Sequence, residues 1–122
     1  MKHQDPTRNY MQEIFYTCKE GLLNQRQKTR KISGAHPLID EYGNRCALGF
    51  LLSDEFVGSY KCNFSDMSDH MNIPIDFLSQ KKCVSMLRQL QKLHDYSPVY
   101  DWPRGLKTIQ AIHDIPELEV IA

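Results

Sequence analysis

The sequence predicts a mainly α (α+β) fold: three principal helices, with a short β-hairpin embedded between the first and the second. Three observations lead there. Apolar side chains recur at three- and four-residue spacing over residues 10–22, 83–94 and 102–113. Such spacing marks amphipathic helices that turn one face to a core. Between the first two stripes, residues 40–56 form the most apolar and most sharply bounded stretch, opened by a glycine turn. A chain of 122 residues, 41% hydrophobic and 25% charged, suits a single domain over residues 1–122 with one core.

Taken in order, Asp5 and Pro6 read as the N-cap and first position of helix one. Its stripe is Tyr10, Met11, Ile14, Phe15, Cys18 and Leu22, running to about Gln25, with Gly21 a local weakness. Residues 26–31 then carry four positive charges. They read as a phosphate-contacting patch or as a solvated helix end, and the lack of interleaved aromatic residues favours the second. Tyr42, Gly43 and Asn44 signal a tight turn, pairing Leu38 and Ile39 with Arg45, Cys46 and Ala47. Residues 47–52 read as a short buried helix in which Gly49 admits another backbone, at a cost of about 1 kcal/mol relative to Ala. Ser53, followed by Asp54 and Glu55, offers a cap for a further turn. Residues 57–64 read as a loop, 65–71 as one helical turn, and Pro74 with Asp76 as another turn or helix start. Helix two runs from Ile75 or Ser79 to His94, with Lys81, Lys82, Arg88, Gln89, Gln91 and Lys92 facing outward. Helix three starts near Asp101, with Pro103 in its first turn, and ends by Ile115 and Pro116. Residues 117–122 read as a short strand or a docked end. Trp102, the single tryptophan, suits a core plug over the ends of the last two helices, or an interface anchor.

Composition narrows the function classes. Lys plus Arg equals Asp plus Glu, 15 each, which argues against nucleic acid or an anionic membrane as partner. The charge is nonetheless polarised: residues 1–34 hold seven basic and three acidic side chains, residues 35–78 two and seven. The four cysteines, Cys18, Cys46, Cys62 and Cys83, show no paired spacing and read as free thiols in a reducing cytoplasm. The polar N-terminus reads as no secretory leader, and no apolar run is long enough for a membrane span. Phosphate loops, nucleophile elbows and dinucleotide fingerprints are missing.

Two constellations offer chemistry. Cys46 sits where strand meets helix, so its thiol could be activated; His94 would be the base and Asp95 or Asp101 the orienting carboxylate. The competing reading is a small buried thiol beside a satisfied core histidine. His94-Asp95 and His113-Asp114 resemble the His-Asp doublet of HD-type phosphohydrolases, completed by His36 or His70 and Asp101. Cys62, His70 and Cys83 could be imagined around zinc, but their spacing is poor for it. The sequence therefore assigns no metal and no cofactor. For partner binding the candidates are Asp54, Glu55, Tyr60, Phe64, Asp66 and Asp69, on the acidic middle third and its loop.

The run Gly43-Asn44-Arg45-Cys46-Ala47-Leu48-Gly49-Phe50-Leu51-Leu52-Ser53-Asp54-Glu55-Phe56, then Leu90-Gln91-Lys92-Leu93-His94-Asp95, then Trp102 and Leu106, resembles a group of short proteins of unassigned function from phages, prophages and bacteria. The likeness follows residues 10–113 in order and departs at the cysteine-bearing stretch 61–74 and at the tail. It implies one helical domain with an embedded hairpin and transfers no catalytic residue. The expectation is a non-enzymatic phage-type accessory protein, cytoplasmic, that binds a bacterial host protein and inhibits a host or defence system. Its oligomeric state is open, with a homodimer among the options. The alternatives are a small cysteine-dependent hydrolase or transferase using Cys46 and His94, and a domain that sequesters a small molecule or metal.

Overall fold

A computed structural model of the chain describes residues 3–31, 36–52 and 64–118. These are mainly helical. The helices are α1 (Tyr10–Gln25), α2 (Phe64–Met71), α3 (Ile75–Leu78), α4 (Lys81–Tyr96) and α5 (Trp102–Ile112), with 3-10 turns at Leu48–Leu51 and Val99–Asp101. α1, α4 and α5 pack on one another, and the Leu48–Leu51 turn wedges against α1 and α4. None of the described helices is long and apolar enough to cross a membrane.

The periodic stripes form the core. All six apolar residues read from α1 are buried, as are Cys83, Met86, Leu87, Leu90, Leu93 and His94 on α4 and Trp102, Leu106 and Ile109 on α5, whereas Ile112, read as the end of the third stripe with His113, is 58% exposed. The ends of the elements differ from expectation. Asp5 spends its carboxylate on Thr7, accepting from the Thr7 amide at 2.9 Å and hydroxyl at 2.6 Å. That closes a local turn rather than a helix start. Asn9 caps α1 instead, accepting from the Gln12 amide at 3.0 Å. The long second helix is broken at extended Gln80, giving α3 and α4, and it runs two residues past His94 to Tyr96. Asp101 places its carboxylate near Arg104 rather than on a backbone amide of α5.

The embedded hairpin is not formed. Ile39 and Arg45 make one isolated antiparallel bridge, and no strand is present among the described residues. Two backbone bonds flank that bridge, from the Asp40 N–H to the Asn44 carbonyl at 2.8 Å and from the Cys46 N–H to the Leu38 carbonyl at 3.0 Å, and the pairing goes no further. Asp40 accepts from the amides of Tyr42 and Asn44, both at 2.9 Å, and so builds the loop itself around Gly43, whose φ is +82°. The Arg45 backbone N–H and carbonyl face away from Ile39 and are held by the Gln25 carboxamide, at 2.8 Å each. Ala47 is already helical, which ends the second strand at Cys46. The short buried helix does form, as the Leu48–Leu51 turn. Gly49 has the predicted role: a Cβ there would collide with the Leu38 carbonyl oxygen.

Candidate functional site

The C-terminal half of α4 gathers the polar groups of greatest chemical interest. His94 ends the apolar stripe and is fully buried. It lies between the Trp102 ring, stacked at 5.7 Å, and the His36 ring, edge-on at 5.0 Å. Trp102 is fixed by its own indole N–H, which donates to the Leu93 carbonyl at 3.1 Å. The segment after α1 completes the site. Arg26 takes a left-handed conformation, φ 57°, and turns the chain back along α4. Thr29 is thereby buried, and its backbone N–H donates to His94 Nε2 at 3.2 Å.

That one bond fixes the protonation pattern. An amide can only donate, so Nε2 accepts and Nδ1 carries the proton of the neutral ring. Nδ1 then donates to Asp95 Oδ1 at 2.7 Å. The same logic applies to His36, whose Nδ1 lies 2.9 Å from the Thr29 carbonyl and must donate to it. Gln91 extends the chain, donating to Asp95 Oδ1 at 3.1 Å and accepting from the Leu48 amide at 3.2 Å. Polar bonds thus run continuously from the Leu48–Leu51 turn through Gln91, Asp95, His94 and Thr29 to His36. Burial pushes the His94 pKa below its ordinary value, against the opposing pull of Asp95.

His36, His94 and Asp95 each place one ligand-type atom within 4.8 Å of the others. Two histidines and a carboxylate are a metal-binding combination. The bonds above oppose it. Both His94 nitrogens are engaged, one as donor and one as acceptor. A metal at Nδ1 would leave a proton on Nε2, pointing at the Thr29 N–H; a metal at Nε2 would displace Thr29 outright.

Cys46 does not join this site as a nucleophile. The residue is 0% exposed. Burial first, with the nearby Asp95 charge adding to it, pushes its thiol up to about 11. The imidazole that would serve as base has both nitrogens committed to Thr29 and Asp95. Cys18 and Cys83 are also buried and free, their thiols raised by desolvation, Cys83 to about 11.

The remaining sequence candidates scatter. His113 bonds Gln89 at 2.6 Å, away from His94, so the two doublets do not converge. His70 is exposed on α2. Of the partner-binding set, Asp54, Glu55 and Tyr60 lie outside the described residues, as does Cys62. Phe64 and Asp66 are half-buried and Asp69 is exposed. Phe64 does line a groove of about 480 Å³ between α2 and α4. Its floor is Leu48, Phe64, Met67, Val84 and Leu87; Arg88, Lys92 and Tyr96 rim it.

The reading of the sequence missed Thr29, hidden in the basic run, and Gln91 and Gln89, which turn inward rather than out. No periodic signal marks any of the three. Comparison with protein-family models, with curated proteins and with solved structures finds no match to this chain.

Proposed function

We propose that this chain is a non-enzymatic binding domain. In this reading it captures a bacterial host protein in the host cytoplasm, as a phage-type accessory protein would, and so inhibits a host or defence function. The α2–α4 groove carries the reading. It offers an apolar floor beside cations and an exposed aromatic ring, the residue types that concentrate binding energy in protein interfaces. Tyr96 at its end is 82% exposed, and Arg88 and Lys92 are both exposed beside it. The choice of a bacterial partner rests on the resemblance of residues 43–56, 90–95, 102 and 106. The sealed Cys46 thiol weighs against the cysteine-hydrolase alternative, because the thiolate is the reactive form.

The test is affinity capture from bacterial lysate with the intact chain, alongside a triple variant, Arg88→Glu, Lys92→Glu, Tyr96→Ala. All three side chains are on the surface, so the variant should fold. The intact chain should retain a host protein, and the variant should bind it at least about tenfold more weakly, a loss of about 1.4 kcal/mol. Equal retention by both chains removes the groove. If neither captures a host protein, the binding-domain reading fails.

A further inference from the structure

We infer that His94 is a proton-operated latch, holding the basic segment 26–31 against α4 while the ring is neutral and releasing it when the ring gains its second proton. The inference is independent of the groove. It follows from the direction of one hydrogen bond. Thr29 N–H needs a lone pair on His94 Nε2, 3.2 Å away. A proton from solvent taken up at Nε2 turns that acceptor into a donor, and the two N–H groups then face each other in a buried site. Nδ1 keeps its bond to Asp95. The element that must give way is therefore the 26–31 segment, not α4.

The surrounding charges are few and their effects can be stated. On α4 itself, Asp95 favours the charged ring. From the segment, Lys28 sends its ammonium to the Asp95 carbonyl at 3.3 Å and opposes it. From the next stretch, His36 opposes it as well. α5 contributes only the uncharged face of Trp102. On the side of the Leu48–Leu51 turn, Cys46 near Asp95 keeps its proton at neutral pH. Further along the segment, Asp40 grips the Arg30 amide at 2.8 Å. That contact does not involve the ring, so it acts as a hinge and release is centred on Thr29.

The pH window follows from sign. Burial holds the folded His94 value below the ordinary one. Stability from the neutral ring is therefore complete above the unfolded value, about 6.5. It is lost as pH falls below that value, because the unlatched state takes up the proton first. His113 is shifted the same way by burial, so overall stability is not a specific readout. The Thr29 amide and the Trp102 ring are.

The experiment uses the intact chain between pH 8 and 5. Amide hydrogen exchange should show protection of Thr29 falling about tenfold per pH unit below about 6.5. Trp102 emission should change over the same range, because it is the single tryptophan and it stacks on the ring that becomes charged. His94→Gln should abolish both responses, and His113→Gln, which removes the other histidine shifted by burial, should keep them. Thr29 protection that is flat across this range, or a response that survives His94→Gln, overturns the latch. Should His94→Gln not fold, the ring ¹⁵N shifts of the unaltered chain decide. Nε2 protonation in step with Thr29 release supports the latch, and release from a neutral ring overturns it.

Discussion

Cys46 and His94 are both completely buried, and the sequence pairs them as nucleophile and base, yet the fold treats them in opposite ways. The sulfur has the Gly49 and Leu48 backbone and the Gln91 side chain as hydrogen-bond partners, with Asp95 near by. A thiol donates and accepts only weakly, so it can be buried as if it were a small hydrocarbon. The neighbouring Cys18 thiol does much the same, making one 3.3 Å contact to the Ala47 carbonyl. An imidazole has no such option. Each ring nitrogen left without a partner in a dry interior costs free energy, and the chain supplies Thr29 and Asp95 from regions 65 residues apart and one residue apart. Burying sulfur at this corner therefore asks for little beyond packing and weak hydrogen bonds. Burying His94 fixes where the segment after α1 must run.

This contrast predicts unequal costs of substitution. His94→Leu keeps the volume but strands the Thr29 N–H, and should destabilise by about 1–3 kcal/mol. His94→Gln, whose carbonyl oxygen can accept from Thr29, should recover part of that loss. Urea unfolding of the two variants measures both. Equal costs for Leu and Gln would mean the ring matters for its shape and not for its bonds. Cys46→Ala should cost less, about 1 kcal/mol for one methylene-sized group, with no further effect on Thr29 exchange. A Cys46→Ala cost above that of His94→Leu would invert the comparison.

Zinc tests the polar knot from another side. If the Thr29 and Asp95 bonds hold at neutral pH, equimolar Zn²⁺ should leave the melting temperature and Trp102 emission unchanged. A rise in melting temperature that disappears in His36→Gln and Asp95→Asn would show that metal takes a His94 nitrogen from its partner, and would replace the latch by a metal centre.

What the sequence revealed of the two sites divides along the same line. Period and burial were readable: the stripes of α1, α4 and α5, the close approach at Gly49, and Trp102 plugging the ends of the last two helices all follow from local spacing. His94 could be turned inward because it falls on the α4 stripe. Its partners could not be named, since Thr29 sits in a run whose composition suggests solvent and a hydrogen bond across 65 residues leaves no local pattern. The hairpin failed for a related reason. Turn chemistry at Gly43 and Asn44 was correctly read, but the Asp40 side chain takes the Asn44 amide and Ala47 turns helical, so the two backbone bonds beside the Ile39–Arg45 bridge are not extended into strands. Where side chains compete for the backbone, propensity is a poor guide.

The mildest perturbation is chemical labelling, which changes nothing in the fold yet separates an inert corner from a reactive one. With the Cys46 thiol at about 11 and fully buried, only a minute fraction is thiolate at neutral pH, and that fraction has no path to reagent. Alkylation by iodoacetamide at pH 7.5 should therefore be slow for Cys18, Cys46 and Cys83 alike in the folded chain, and fast for all three in urea. Peptide mass spectrometry resolves each site. Uniform protection would leave Cys46 as packing. Selective, rapid modification of Cys46 with the fold intact would mean the corner opens on the labelling timescale. That result would return the thiol to contention as a nucleophile, with His94, bonded to the Asp95 carboxylate near the sulfur, as its candidate base.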